Sequence, residues 1–174
     1  PMLARVIERL RLSKLLHQIV VATTSLPQDD PVAKLADEVG VKVFRGDEAD
    51  VLDRYVGAAH SVQADVVVRV TADCPFIEPT IVDQAVAMYL AGGDEWDYVS
   101  NTIERTYPRG LDVEVFPRRV LEHLNAVSMS ALEREHVTLH LLRRREHYRI
   151  VHVLNDVDYS HHYWTVDSEQ DLQL

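Results

Sequence analysis

Only one cysteine, Cys74, occurs in the 174 residues, so no disulfide can close within the chain. A reducing, cytoplasmic compartment is the matching expectation. No apolar run approaches the ~20 residues that cross a bilayer, so a membrane partner is not expected. Residues 1–16 space arginines among their apolar positions and lack the compact apolar centre of a signal peptide. Basic charge is short as well: 18 Lys and Arg stand against 28 Asp and Glu, a formal net charge of −10. A duplex-binding protein needs a basic face, so nucleic acid is not expected as a partner either. Linkers, internal repeats and low-complexity tracts are also missing, which points to a single domain over residues 1–174.

What is present is an ordinary globular profile, 47% apolar and 26% charged. The densest apolar stretch is Val66-Val67-Val68-Arg69-Val70-Thr71, followed by Ala72-Asp73-Cys74-Pro75. Such a β-branched run predicts a strand buried on both faces, as in a parallel sheet. Pro75 cannot donate to a sheet ladder, so the strand ends near residues 71–73. Asp73 then lies at the carboxyl end of a central strand, the edge where open α/β sheets bind ligands.

Around this strand the pattern alternates. Helices are predicted over residues 3–10, 31–40, 51–62, 79–91, 118–126 and 131–145, and strands over 19–23, 41–44, 66–71, 98–100, 112–116, 148–154 and 164–166. A last helix opens at Ser168-Glu169-Gln170-Asp171. Asp30 caps the helix that begins with Pro31, and Gly40 stops it. Ser130 and Glu133 form a capping box. Alternating strands and helices in the first half imply βαβ units, with a mixed second half.

Asp73 and Asp167 each directly follow a predicted strand. If those strands are parallel neighbours, two hard oxygen ligands meet at one edge, where they suit Mg²⁺. Both also suit helix capping. Arg45-Gly46-Asp47 through Arg54 follows a strand and opens a helix. Either its backbone N–H groups face an anion, or it is a charged turn capped by Asp50. Arg69 inside an apolar run needs a partner, either a ligand anion or a structural carboxylate. Asp112 and Glu114 lie two apart and so share a strand face. His136 and His140 have helical i, i+4 spacing, but Glu135 precedes the first histidine, where a zinc protease needs its glutamate after it. Cys74 beside Pro75 reads as a small packed side chain.

Eight ordered segments carry a resemblance: Pro1-Met2-Leu3, Val43-Phe44-Arg45-Gly46, Asp50-Val51-Leu52-Asp53-Arg54-Tyr55, Arg69 through Pro75, Tyr98-Val99-Ser100-Asn101, Gly110 through Phe116, Arg134-Glu135-His136-Val137-Thr138 and Trp164-Thr165-Val166-Asp167. Together they resemble the cytidylyltransferases of the spore coat polysaccharide biosynthesis protein F type, which are similar to the acylneuraminate and 3-deoxy-manno-octulosonate cytidylyltransferases. The resemblance implies a three-layer αβα sandwich with a mostly parallel, Rossmann-like sheet of the nucleotide-diphospho-sugar transferase type. It implies transfer of CMP from CTP to a sugar or sugar acid, with Mg²⁺ and release of pyrophosphate. Asp73 and Asp167 match the acidic metal ligands. Arg45 and Arg69 match positions near the nucleotide or sugar, and Asn101, Asp112, Glu114 and His136 match the acceptor side. Such enzymes carry a first, central strand and a Gly-rich loop ahead of the segment aligned with Pro1. The chain is therefore expected to be truncated relative to the family, with a homodimer as one way to complete the sheet. The rival readings are a non-catalytic remnant that serves as a binding or oligomerisation domain, and a glycosyltransferase on the same kind of fold.

Overall fold

The computed structural model of the chain describes residues 1–168, 170 and 171. They fall into two compact units, one made of Pro1–His17, Val68–Val115 and the residues from Ile150 onward, the other of Gln18–Val67 and Phe116–Arg149. No helix among the described residues is long and apolar enough to cross a membrane.

The first unit opens with α1 (Met2–Leu10), which buries Val6, Ile7 and Leu10 at helical spacing. It is tied to α4 (Pro79–Gly92) by polar clasps. Arg9 donates to the Ile77 carbonyl (2.5 Å) and to Glu78 (2.7 Å). Asp83 accepts the Ser13 hydroxyl and the N–H groups of Lys14 and Leu15. Pro79 starts α4 where its missing N–H costs nothing, and Ile81, Val82, Ala85, Val86 and Tyr89 form the buried face.

The strands β3 (Val66–Arg69), β4 (Tyr98–Ser100), β5 (Glu114–Pro117) and β6 (Ile150–His152) form a sheet in the order β3-β5-β4-β6. β4 runs antiparallel to β5 and parallel to β6. The sheet is thus mixed, where the resemblance implied a mostly parallel one. The reason is local: residues 101–113 join β4 to β5 as a loop with no crossover helix, which suits an antiparallel pair. All four residues of β3 are half-buried, not buried on both faces as its composition suggested. β3 is an end strand of this sheet, and the valine-rich run reported apolar content without reporting position.

In the second unit β1 (Val20–Thr24) and β2 (Lys42–Gly46) pair in parallel, with Val20 opposite Lys42 and Thr24 opposite Gly46. The crossover is α2 (Asp30–Glu38). Gly40 lets the chain leave it at φ +69°, a left-handed conformation that favours glycine. The helix starts one residue earlier than expected. Asp29, at the position before it, turns its carboxylate back onto the hydroxyls of Thr23 (2.9 Å) and Thr24 (2.6 Å).

α3 (Val51–Ser61) is capped by Asp50, which accepts from the Asp53 N–H at 2.9 Å. Arg134 grips both oxygens of the same carboxylate at 2.6–2.9 Å. α5 (Arg118–Val127) buries Val120, Leu121 and Leu124. The single helix expected over residues 131–145 is broken into α6 (Ala131–Glu135) and α7 (Leu139–Arg143), with His136 extended at φ −103°, ψ 91°. Glu133 and His140 would lie about 10 Å apart along a continuous helix. Here His140 Nδ1 is 3.4 Å from Glu133, and Arg144 donates to Glu133 at 3.1 Å. The break leaves His136 exposed and His140 buried, so the i, i+4 pair does not share a helix face.

Asp29, Asp50 and Asp83 all titrate below the ordinary 3.8. For Asp29 the threonine hydrogen bonds dominate. For Asp50 and Asp83 burial pushes the carboxyl up, and hydrogen bonds from Arg134 and Asp53, or from Ser13, Lys14 and Leu15, outweigh it. The folded state therefore releases protons that the unfolded chain still holds. The stabilisation is complete above the unfolded value and is lost as pH falls through the folded ones. Urea denaturation should show a fall in midpoint below about pH 4. Asp50→Asn should cost about 1–2 kcal/mol at neutral pH and make that fall shallower. An acid slope identical to the unsubstituted chain would remove Asp50 from this explanation.

Candidate active site

After Arg69 the chain turns at residues 72–73, with the Cys74 N–H on the Thr71 carbonyl (3.3 Å) and the Ile77 N–H on the Cys74 carbonyl (3.1 Å). Asp73 sits half-buried on this turn. A second segment, residues 159–167, lies across it as a strap. Its Trp164 N–H donates to the Arg109 carbonyl (2.7 Å), and the Arg109 N–H donates to the His162 carbonyl (3.1 Å). Arg109 and Tyr163 form an isolated parallel bridge, so the strand expected over residues 164–166 is reduced to one pairing. Further on, the Val166 N–H donates to the Asp73 carbonyl at 2.9 Å. Trp164 packs edge-on against Phe76, with ring centroids 6.4 Å apart.

Gly110 permits this approach. Its φ is +100°, and a Cβ there would stand 2.6 Å from the Trp164 carbonyl carbon and 2.9 Å from the Thr165 nitrogen. No side chain fits such a gap, and an L residue is strained at that φ.

The strap delivers Asp167 one residue beyond the bond to Asp73. Thr165 and Tyr163 donate their hydroxyls to Asp167 Oδ2 at 2.9 and 3.2 Å. Among the described residues Asp73 caps no helix with its side chain. Glu78 occupies the cap position of α4, and Asp73 Oδ1 accepts only a long contact, 3.6 Å, from the Cys74 thiol. At the strap's end Asp171 accepts from the N–H groups of Asp167 and Ser168. The helix expected to open at Ser168 runs through Glu169 and residues 172–174, which lie outside the described residues.

Of the other expected site residues, four share the first unit with Asp73 and Asp167. Arg69 pairs with Glu114, whose second oxygen accepts the Tyr98 hydroxyl at 2.5 Å. Burial and the Glu114 charge raise the Tyr98 phenol well above its ordinary range. Asn101 is fully buried and spends both ends of its amide on one loop, donating to the Leu111 carbonyl (2.7 Å) and accepting from the Val113 N–H (2.9 Å). Asp112 is held by Arg105 through two bonds of 2.5 and 2.9 Å. The Cys74 thiol registers both nearby carboxylates. Burial raises its pKa, against a hydrogen bond with Thr71, and the charges of Asp73 and Asp112 push it further, to about 12. It is a protonated, buried thiol and no nucleophile.

Arg45 and His136 belong to the other unit. Arg45 braces a loop, donating to the carbonyls of Thr24 (2.7 Å) and Leu26 (2.8 Å) and pairing with Asp30 at 2.7 Å. His136 is exposed at the helix break.

Among the described residues no group of three or more His, Cys, Asp and Glu side chains converges as a metal cage. A pair of carboxylates on bonded segments still fits Mg²⁺, which takes one or two carboxylates and leaves the rest of its shell to water and phosphate. The sequence reading passed over Arg105, Tyr163 and Thr165. The i, i+2, i+4 spacing of Tyr163, Thr165 and Asp167 was the available signal for two of them.

Residues 1–167 match the family described as cytidylyltransferase. The chain belongs to the cytidylyltransferase family. A cytidylyltransferase from Leptospira borgpetersenii has a structure similar to this family member, at a TM-score of 0.95 and 34% identity, covering 98% of this chain and 72% of that one. An uncharacterised protein of Methanocaldococcus jannaschii is 35% identical over 84% of this chain, and the spore coat polysaccharide biosynthesis protein SpsF of Bacillus subtilis is 32% identical over 76%. The chain spans 58% of the length of the first and 53% of the second. A CMP:2-keto-3-deoxy-manno-octonic acid synthetase complexed with CTP shares the fold, at a TM-score of 0.69 and 20% identity over 99% of this chain and 85% of that one. The fold is the Rossmann-like α/β arrangement of cytidylyltransferases, with a mixed sheet.

In this family member Gly110 is the residue on which the strap's seat depends most directly. Gly110→Ala should lower stability by about 1–3 kcal/mol and loosen residues 164–167. Thermal denaturation, with hydrogen exchange at the Trp164 and Val166 amides, checks this. Unchanged protection at both amides would show that the strap does not need the glycine.

Proposed function

We propose that the chain catalyses transfer of CMP from CTP to a hydroxyl of a sugar or sugar acid, with release of pyrophosphate. The observation that carries this reading is the Val166–Asp73 backbone bond, which joins the two segments bearing Asp73 and Asp167 in a member of the cytidylyltransferase family. In the reaction the acceptor hydroxyl oxygen forms a bond to the α-phosphorus and loses its proton to solvent, while the α–β anhydride bond breaks and its electron pair leaves with pyrophosphate. Asp73 and Asp167 would hold Mg²⁺, and that ion supplies charge neutralisation at the phosphates. Thr165 and Tyr163 fix the Asp167 carboxylate through their hydroxyls, so its orientation is set before substrate arrives. Arg69, Glu114 and Asn101 act as supports: Arg69 pairs with Glu114, and Asn101 spends its amide on residues 111 and 113. Asp112 keeps both carboxylate oxygens on Arg105, and His136 stands exposed in the other unit. The three-layer αβα form of the nucleotide-diphospho-sugar transferase type goes with this reading.

Pyrophosphate release from CTP, followed with Mg²⁺ and a panel of sugars and sugar acids, tests it. The expected result is Mg²⁺-dependent turnover that Asp73→Asn lowers by at least about a hundredfold, the scale of losing a charge-stabilising group. If no acceptor supports turnover and calorimetry shows no CTP binding, the chain is a non-catalytic binding domain. Full activity of Asp73→Asn would remove the metal role from that residue.

A further inference from the structure

Glu133, His140 and Arg144 meet at the break between α6 and α7, and the reaction as described uses none of them. Glu133 Oε1, His140 Nδ1 and Arg144 Nη1 stand at the corners of a small triangle. Its sides are 3.4 Å from histidine to glutamate, 3.1 Å from arginine to glutamate and 3.1 Å from arginine to histidine. The glutamate and histidine side chains are buried, at 8% and 11% exposure, while that of Arg144 is 45% exposed. Arg144 therefore reaches in from the surface to two interior groups.

A guanidinium carries five N–H groups and no acceptor. His140 Nδ1, in hydrogen-bond contact with Arg144, is accordingly a bare lone pair, and the ring is the neutral form protonated at Nε2. Imidazole is the side chain whose ordinary charge change falls between about pH 5 and 8. Glu133 is a carboxylate throughout that range, because the Arg144 hydrogen bond first of all holds it below its ordinary 4.5. A proton added at Nδ1 sets two cationic donors against each other across 3.1 Å, with one carboxylate for both. Arg144 is the one with a path to solvent. Glu133 is never stripped of its cation, since one replaces the other, and the cost of an unpaired buried charge is avoided in both states. The other charged groups on the packed elements are engaged or exposed. On α6, Arg134 is taken by Asp50 and Glu135 is exposed. On α7, Arg143 is exposed. In the short turn over Arg145–His147 all three residues are exposed, with His147 3.5 Å from Glu146.

We propose that this triangle is a proton-operated clasp on the α6–α7 break. Above its transition Arg144 holds Glu133 and ties the far end of α7 back to α6. Below it the His140 imidazolium takes the carboxylate, and Arg144 turns out to solvent. The tie then ends at residue 140. Residues 144–148 lose their anchor, while residues 133–140 keep theirs. Arg144 is the joint of that segment, for its N–H donates to the Leu141 carbonyl (3.1 Å) and its carbonyl accepts the His147 N–H (2.9 Å). The clasp goes beyond the transfer reading and does not depend on it.

Nitrogen-15 NMR of the histidine rings on the full chain, between about pH 5 and 8, tests it, read beside amide hydrogen exchange. His140 is assigned by the signal that His140→Gln removes. The expected result is a bare Nδ1 at the basic end that gains a proton on acidification. With that change, exchange protection should fall about tenfold or more at the Arg144, His147 and Tyr148 amides and hold within about twofold at His136 and Leu139. Arg144→Gln should raise the His140 midpoint by about half a unit or more, because the opposing cation is gone, and Glu133→Gln should lower it. His140→Gln should abolish the response of the three amides. The proposal is overturned if Nδ1 carries the proton at the basic end, if His140 does not change charge in that range, if Arg144→Gln leaves its midpoint in place or lowers it, or if the three amides keep their protection while His140 charges. Should a variant fail to fold, the ring tautomer and the amide response of the unsubstituted chain still decide.

Discussion

The donation from the Val166 N–H to the Asp73 carbonyl is the contact on which the site depends. One such bond contributes only about 0.5–1.5 kcal/mol net, too little to seat a segment alone. The seat is made by combination: the paired Arg109 bonds, the Trp164–Phe76 contact and the clearance that Gly110 provides. Together they fix register. A slip of one residue in an extended segment sends each side chain to the opposite face. Tyr163, Thr165 and Asp167 would then turn together to the other face of the strap.

The polar interior is arranged so that most charges are spent on architecture. Arg134 and Asp50 close the start of α3, Arg105 holds Asp112, and Arg69 with Tyr98 satisfies Glu114. Replacing one member of a buried pair leaves the other uncompensated, which costs more than the pair itself contributes.

Elements whose signals are local were legible in the sequence. Asp50 ahead of Val51 announced the start of α3, Ser130 announced that of α6, and Tyr98–Ser100 was placed to the residue. The valine run announced β3, but the strand stops at Arg69, short of the residues 71–73 expected from Pro75, and Asp73 sits on the turn beyond it. Features decided by distant partners were not legible. No residue near His136 breaks helices by propensity; the break serves Glu133, His140 and Arg144. The valines of β3 could not say that their strand ends a sheet. Nor could the sequence say that Asn101 would turn both ends of its amide onto residues 111 and 113, or that Glu114 was the partner Arg69 required. The strap read as a strand because Trp164-Thr165-Val166 has strand composition, while its true support is a glycine more than fifty residues earlier.

Anomalous diffraction from crystals grown with Mn²⁺ and CTP measures the central claim most directly, because it locates the cation without reference to turnover. The account predicts one strong peak about 2.1 Å from an oxygen of Asp73 and an oxygen of Asp167 alike. A peak bound to only one of them, or to neither, would contradict it.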